Sequence, residues 1–133
     1  MAVAINRSDR EPAFFDFDFP PDADRGQGAF VTFGRTERVG NKWKLALVKP
    51  AIFHLNFFSC DHDSCIGRVT GHVVPATDGN PPVDVLHEFL TDDQILFLFT
   101  RNGVPYRTIK ALFPFQRDYR HLMDTEFKAP AKR

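Results

Sequence analysis

The segment Phe15-Asp16-Phe17-Asp18-Phe19, closed by Pro20-Pro21, constrains this chain more than any other stretch. Apolar and acidic residues alternate with a period of two. A strand satisfies that period and a helix does not, because successive strand side chains point to opposite faces. One face is then all phenylalanine and the other all aspartate, so the strand must bury one side and leave the other at water. The two prolines end it. Acid on an open face is also how a sheet edge avoids pairing with strangers, so the pattern predicts an edge strand. A carboxylate metal site on that face is the rival reading.

The remaining patterns are also mostly of β type. Strands are expected over residues 29–35, 43–48, 51–59, 65–74, 94–100 and 104–112. Asn102-Gly103 joins the last two as a tight hairpin, since both residues tolerate positive φ. Gly40-Asn41 and Asp61 to Ser64 supply further turns, and residues 75–82 form a loop rich in turn formers. Val85, Leu86, Phe89 and Leu90 recur at helical spacing and predict a short helix over 83–90 that ends by Asp93. A second helix is expected over 117–123. The fold class is therefore mainly β, a β-rich α+β chain. The architecture is an antiparallel sandwich or partly closed barrel of about six or seven strands with one or two short helices. A polar N-terminal arm over 1–12, one domain over 13–123 and a charged C-terminal tail over 124–133 complete the organisation.

Fifteen of the 133 residues are Phe, against one Trp and two Tyr, which calls for either an aromatic core or an aromatic surface kept for a partner. Lys plus Arg and Asp plus Glu both number 17, so no long-range field of one sign draws in nucleic acid or an anionic membrane. From Arg101 onward basic residues predominate, most simply as a solvated face, with an anionic partner as the alternative. No run approaches the roughly 18 apolar residues of a membrane span, and the N-terminus lacks the apolar core of a signal peptide. The expected location is cytoplasmic by that criterion, or periplasmic or exported if a leader has been removed.

His54, Cys60, Asp61, His62, Asp63, Cys65 and His72 are the residue types that suit zinc. In an extended 51–59, His54 lies about 20 Å from Cys60 at roughly 3.3 Å per residue, too far to share an ion. Hairpin registry sets His72 opposite Phe53, on the other face. Cys60, His62 and Cys65 remain as the candidate metal set at the tip, with zinc as the candidate cofactor, although C-x4-C without a second pair is a poor zinc signature. The same registry sets Cys60 opposite Cys65, close enough for a disulfide in an oxidising compartment; in a reducing one they are two free thiols. A Cys60 nucleophile activated by His62 is a further reading, with no third orienting group evident. Asp61 and Asp63 suit an acid/base pair or, more simply, turn residues bonding the local backbone.

Two aromatic sets invite a partner. Phe30 and Phe33, in Gly28-Ala29-Phe30-Val31-Thr32-Phe33, resemble the end of the RNA-recognition-motif signature but lack its leading basic-Gly-aromatic triplet, so buried strand aromatics are the simpler account. Phe113, Phe115 and Tyr119 stand beside Arg117 and Arg120, the residue types that carry interface energy. With Phe15 and Phe17 they are the candidate partner-binding residues. The competing reading has Tyr119, Leu122 and Met123 seal the domain as a terminal helix.

From about Lys49 onward the order of features resembles the C-terminal half of the invasion-associated locus B family. The matching pieces are Cys60-x4-Cys65, the helix over 83–90, the strand over 95–100, the Asn102-Gly103 turn and the run Thr108-Ile109-Lys110-Ala111-Leu112-Phe113. The resemblance implies a non-enzymatic, β-rich, exported protein with Cys60 bridged to Cys65 and partners in the envelope or on a host surface. Aromatic richness without a convergent set of catalytic groups makes the leading expectation a non-enzymatic protein-binding or assembly module with an aromatic and basic surface, taking a protein partner or associating with itself. A small metal- or thiol-dependent enzyme centred on the Cys60 to Cys65 tip and a single-stranded nucleic-acid binder are the alternatives, nucleic acid being the less expected partner.

Overall fold

The computed structural model describes residues 2–5, 12–77 and 79–125, the side chains of 2–5 and 45–50 excepted. Ten strands and two helices are placed among them: β1 (Ala2–Ile5), β2 (Pro12–Phe19), β3 (Ala29–Val39), β4 (Lys42–Leu55), β5 (Phe57–Cys60), β6 (Cys65–Thr70), β7 (Val73–Val74), β8 (Val83–Asp84), α1 (Val85–Thr91), β9 (Gln94–Arg101), β10 (Val104–Ala111) and α2 (Phe113–Thr125). Two four-stranded sheets, ordered β1-β2-β6-β5 and β10-β9-β3-β4, are antiparallel throughout, and β7 pairs with β8 as a small ribbon. The β-rich α+β class is thus confirmed.

The alternation in β2 works as expected on one face and differently at the edge. Phe15, Phe17 and Phe19 are buried, while Asp16 faces Arg68 across the β2–β6 pair and accepts from its Nε and Nη2 at 2.7 and 2.9 Å. The strand is interior, flanked by β1 and β6, so the expected edge strand is corrected. Asp16 thus balances a cross-strand arginine, whose guanidinium also lies over the Phe14 ring, 3.9 Å from its centroid. Part of the expected arm, Ala2–Ile5, is the strand that occupies the outer position. Most of the expected tail lies outside the described residues; Asp124 and Thr125 end α2.

The expected pair of strands over 43–48 and 51–59 is rearranged. The β3–β4 register jumps from Gly34↔Leu47 to Thr32↔Ile52, so residues 48–51, with Pro50 among them, bulge opposite Phe33 instead of ending the strand. Because β4 is the last strand of its sheet, a proline without an N–H is tolerated there. At Asn56 the chain leaves that sheet, and β5 joins the other. The sandwich is therefore closed by chain continuity along β4–β5. Its opposite side, bordered by β10, is open.

The core between the sheets explains the phenylalanine count. Phe15, Phe17, Phe19, Phe33, Phe53, Phe89, Phe97 and Phe99 are all buried in one cluster. Phe89, from the seven-residue α1, stacks on Phe15 at 5.1 Å between centroids and meets Phe33 edge-on at 5.6 Å, so the helix packs its ring into the core. Asp84 caps that helix by accepting from His87 N at 3.0 Å. The second helix starts four residues before its expected first turn, because Pro114 sits where its missing N–H costs nothing.

Candidate binding cleft

The β5–β6 register pairs Cys60 with Cys65, and the two are joined in a disulfide with Cα atoms 4.0 Å apart. The turn beyond them is built by Asp61, whose Oδ1 accepts from the backbone N–H of Asp63 at 2.8 Å and of Ser64 at 3.0 Å. Those hydrogen bonds, Ser64 first, hold the Asp61 carboxyl below its ordinary range. This arrangement overturns the metal set Cys60, His62 and Cys65 and the Cys60 nucleophile together, since both sulfurs are committed to each other. The His62 side chain is 90% exposed and lies 3.4 Å from Asp63, so the tip stands free in solvent. Asp61, His62 and Asp63 do approach one another, but all three are exposed turn residues. His54 and His72 are elsewhere: Phe53 pairs with Val31 and not, as expected, with His72, His54 Nε2 is 2.8 Å from the Gln27 carbonyl, and His72 Nδ1 is 3.3 Å from Asp84.

The open side of the sandwich carries a cleft of about 370 Å³. Its origin lies in the β9–β10 register. Residues directly opposite in an antiparallel pair share a face. Ile95, Phe97 and Phe99 of β9 are buried and lie opposite Lys110, Thr108 and Tyr106 of β10, so the last strand presents an amphipathic lip where its neighbour presents pure hydrocarbon. The cleft floor is Phe17, Ile95, Phe97 and Leu112. Its roof is the inner side of α2, through Phe115, Tyr119 and Leu122, and Asp18, Lys110 and Asp118 supply charge at the rim. A second cleft of about 210 Å³ adjoins it along the lip, sharing Asp18, Phe97 and Lys110. No residue of α2 is fully buried, so the helix covers the core as a partial lid.

The candidate partner-binding residues separate in three ways. Phe15 and Phe17 are 0% and 1% exposed, because the face opposite the aspartates is the inner one; Phe15 is thereby corrected as a core residue, while Phe17 contributes to the cleft floor. Phe115 and Tyr119, stacked at 5.7 Å, line the cleft. Phe113, Arg117 and Arg120 are exposed and outside its lining, with Arg117 Nε 3.3 Å from Asp118. The paired stacking platform of Phe30 and Phe33 is also overturned, because Phe33 is completely buried while Phe30 is 50% exposed.

One cluster was missed in the sequence. Asp92, the C-cap of α1, has a fully buried side chain and accepts from Arg35 Nε at 3.1 Å. Its backbone carbonyl and that of Phe89 both accept from Gln116 Nε2, at 2.7 and 2.9 Å, which ties α2 to the last turn of α1. Asp93 extends the junction: its N–H donates to the Gly34 carbonyl, its carboxylate accepts from Thr36 N at 2.7 Å, and its carbonyl accepts from Leu112 N. Glu88 stands one turn before Asp92, and Glu88 Oε2 and Asp92 Oδ2 are both buried without a hydrogen-bond partner. Burial, followed by the neighbouring Asp92 carboxylate, which would accept from a protonated Glu88 and repels an ionised one, pushes the Glu88 carboxyl up to about 7, with Arg35 pulling the other way. The only signal in the sequence was a pair of acids four apart near a helix C-terminus, where the dipole disfavours them. That spacing by itself describes any solvated helix end.

Fold and cleft together define a class: a small antiparallel β-sandwich, closed on one side by chain continuity and open on the other beneath a helix. No protein-family model, curated protein or solved structure matches the chain. The resemblance to the invasion-associated locus B family therefore rests on the residues that suggested it.

Proposed function

We propose that this chain is a non-enzymatic binding module whose site is the cleft between β10, β2 and α2, and that its ligand is a polypeptide partner inserting a bulky apolar side chain. The observation that carries this reading is the cleft itself, hydrocarbon at the floor and charged only at the rim. Such concavities take an apolar anchor and use a few polar groups to orient it. Phe113, Arg117 and Arg120 are exposed on the helix that roofs the cleft, and Phe and Arg are enriched where interfaces carry their energy. The catalytic alternative loses its support at the bridged, solvent-exposed tip, and Glu88, the carboxyl driven toward neutrality, does not line the cleft. Among the described residues no helix is long and apolar enough to cross a membrane.

The neutral fluorophore N-phenyl-1-naphthylamine reports the site, since its emission rises in an apolar environment. Wild-type protein is expected to bind it and Leu122→Glu, which puts a carboxylate in the roof, to lose it at least tenfold, while Lys44→Glu on the β3–β4 ribbon leaves binding unchanged. Short peptides carrying Phe or Leu should displace the probe and Gly/Ser peptides should not. Equal uptake by wild type and Leu122→Glu would sink the proposal.

A further inference from the structure

We propose that a proton held between the Glu88 and Asp92 carboxyls is the switch that keeps α2 closed over the cleft, so that the cleft binds best while the pair is protonated. This rests on the cleft being the binding site. The two carboxyls stand one helical turn apart at the end of α1, and each has an oxygen that is buried and without a hydrogen-bond partner. Two adjacent ionised carboxylates cannot share such a place without a counter-charge each. The charged groups facing Glu88 among the described residues are Asp92, Arg35 from β3, and Asp84 at the helix start. The only cation of the three reaches Asp92 and has a side chain that is itself 55% exposed. From α2 the uncharged Gln116 amide reaches this turn and donates to the Phe89 and Asp92 carbonyls. A proton on Glu88 turns its carboxyl from an acceptor into a donor toward Asp92 and removes the repulsion.

Loss of that proton leaves two negative charges at a helix C-terminus, where the terminal carbonyls already carry partial negative charge. Water has to enter to solvate them, and the last turn of α1 gives way. That turn holds α2 through both carbonyls that accept from Gln116, and its Phe89 ring packs 4.7 Å from Phe115 in the cleft roof. The sign follows from the raised carboxyl. Stabilisation of the closed junction is complete below the ordinary carboxyl value of 4.5 and is lost as pH rises through about 7.

The test measures N-phenyl-1-naphthylamine affinity at pH 6 and pH 8 for wild type and Glu88→Gln, whose amide can donate to Asp92 at any pH. The probe carries no charge in this window. If only the protonated junction is competent, wild-type affinity falls by up to about tenfold between the two pH values, in proportion to the competent fraction. Glu88→Gln is expected to keep the pH 6 affinity at both. Histidines ordinarily titrate in the same window, so the difference between the two proteins is the readout. An unchanged wild-type affinity, or an equal pH slope in Glu88→Gln, overturns the switch while leaving the cleft reading intact. Absence of binding at both pH values overturns the cleft reading and the switch with it. Carbon-13 NMR titration of the Glu88 carboxyl in wild-type protein gives an answer independent of the variant's folding: a midpoint near 7 supports the switch and one near 4.5 overturns it.

Discussion

Gly28 shows how much one residue can decide. Its φ of +65° lies in the left-handed region, and a Cβ added there would collide with the Leu55 carbonyl and the His54 ring. Both the conformation and the space demand glycine. Gly28→Ala is therefore expected to destabilise the protein by about 2 kcal/mol or more, read from the urea midpoint; a shift within error would mean that β3 and β4 are not so closely apposed. Asp24 acts by charge. Its carboxylate accepts from Thr100 Oγ1 and from the N–H groups of Asn102 and Gly103, at 2.7 to 2.9 Å, and so buttresses the turn that the sequence identified by its Asn-Gly pair. The Thr100 bond foremost, then the Gly103 N–H, lowers the Asp24 carboxyl below its usual 3.8. A depressed carboxyl stabilises above its unfolded value, and that stabilisation disappears as pH falls through the folded one. Asp24→Asn should flatten the acid limb of the thermal stability profile below pH 4, where wild type declines more steeply.

At the scale of elements, the tight turns and the existence of both helices were legible because their signals are local. Asn102 and Gly103 both take positive φ, at 52° and 76°, and the helical spacing of Val85, Leu86, Phe89 and Leu90 falls within α1, which starts two residues after the expected Val83 because Asp84 caps it. What failed was everything decided by distant partners. Whether Phe15 to Phe19 is an edge or an interior strand depends on Ala2–Ile5 and on Arg68, and no property of the segment itself says so. The Lys49-Pro50 interruption looked like a strand end. It is a bulge because β4 continues as the outermost strand of its sheet. The Cys60 to Cys65 hairpin was legible over its tip and wrong at its base, where β4 and β6 belong to different sheets. Intact mass without reductant should show the chain lighter by two hydrogens and refractory to alkylation. Reduction should cost only about 2 kcal/mol, as expected for so short a closed loop, and leave the fold in place. Two alkylatable thiols in unreduced protein would contradict the bridge.

For the molecule as a whole, the excess of phenylalanine proved to be mainly a core. Eight rings fill the space between two sheets, and where that space meets Lys110, Thr108 and Tyr106 of β10 part of its apolar surface becomes accessible as the cleft. The partner-binding candidates were half legible for that reason. Phe115 and Tyr119 fall in the cleft because α2 follows β10 directly and folds back over the open side; Phe15 and Phe17 belong to the opposite sheet's inner face, from which Phe17 reaches the cleft floor and Phe15 does not. The Glu88 and Asp92 junction was invisible, since burial of Asp92 comes from β3 and α2 closing on it from remote parts of the chain.

The most direct measurement is amide and methyl chemical-shift mapping by NMR on titration with a Phe- or Leu-bearing peptide at pH 6. Perturbations contiguous over Ile95, Lys110, Leu112, Phe115 and Leu122, saturating together, are the predicted result. Perturbations centred on the Cys60 to Cys65 tip or on exposed Phe30, with the cleft residues unmoved, would contradict the account.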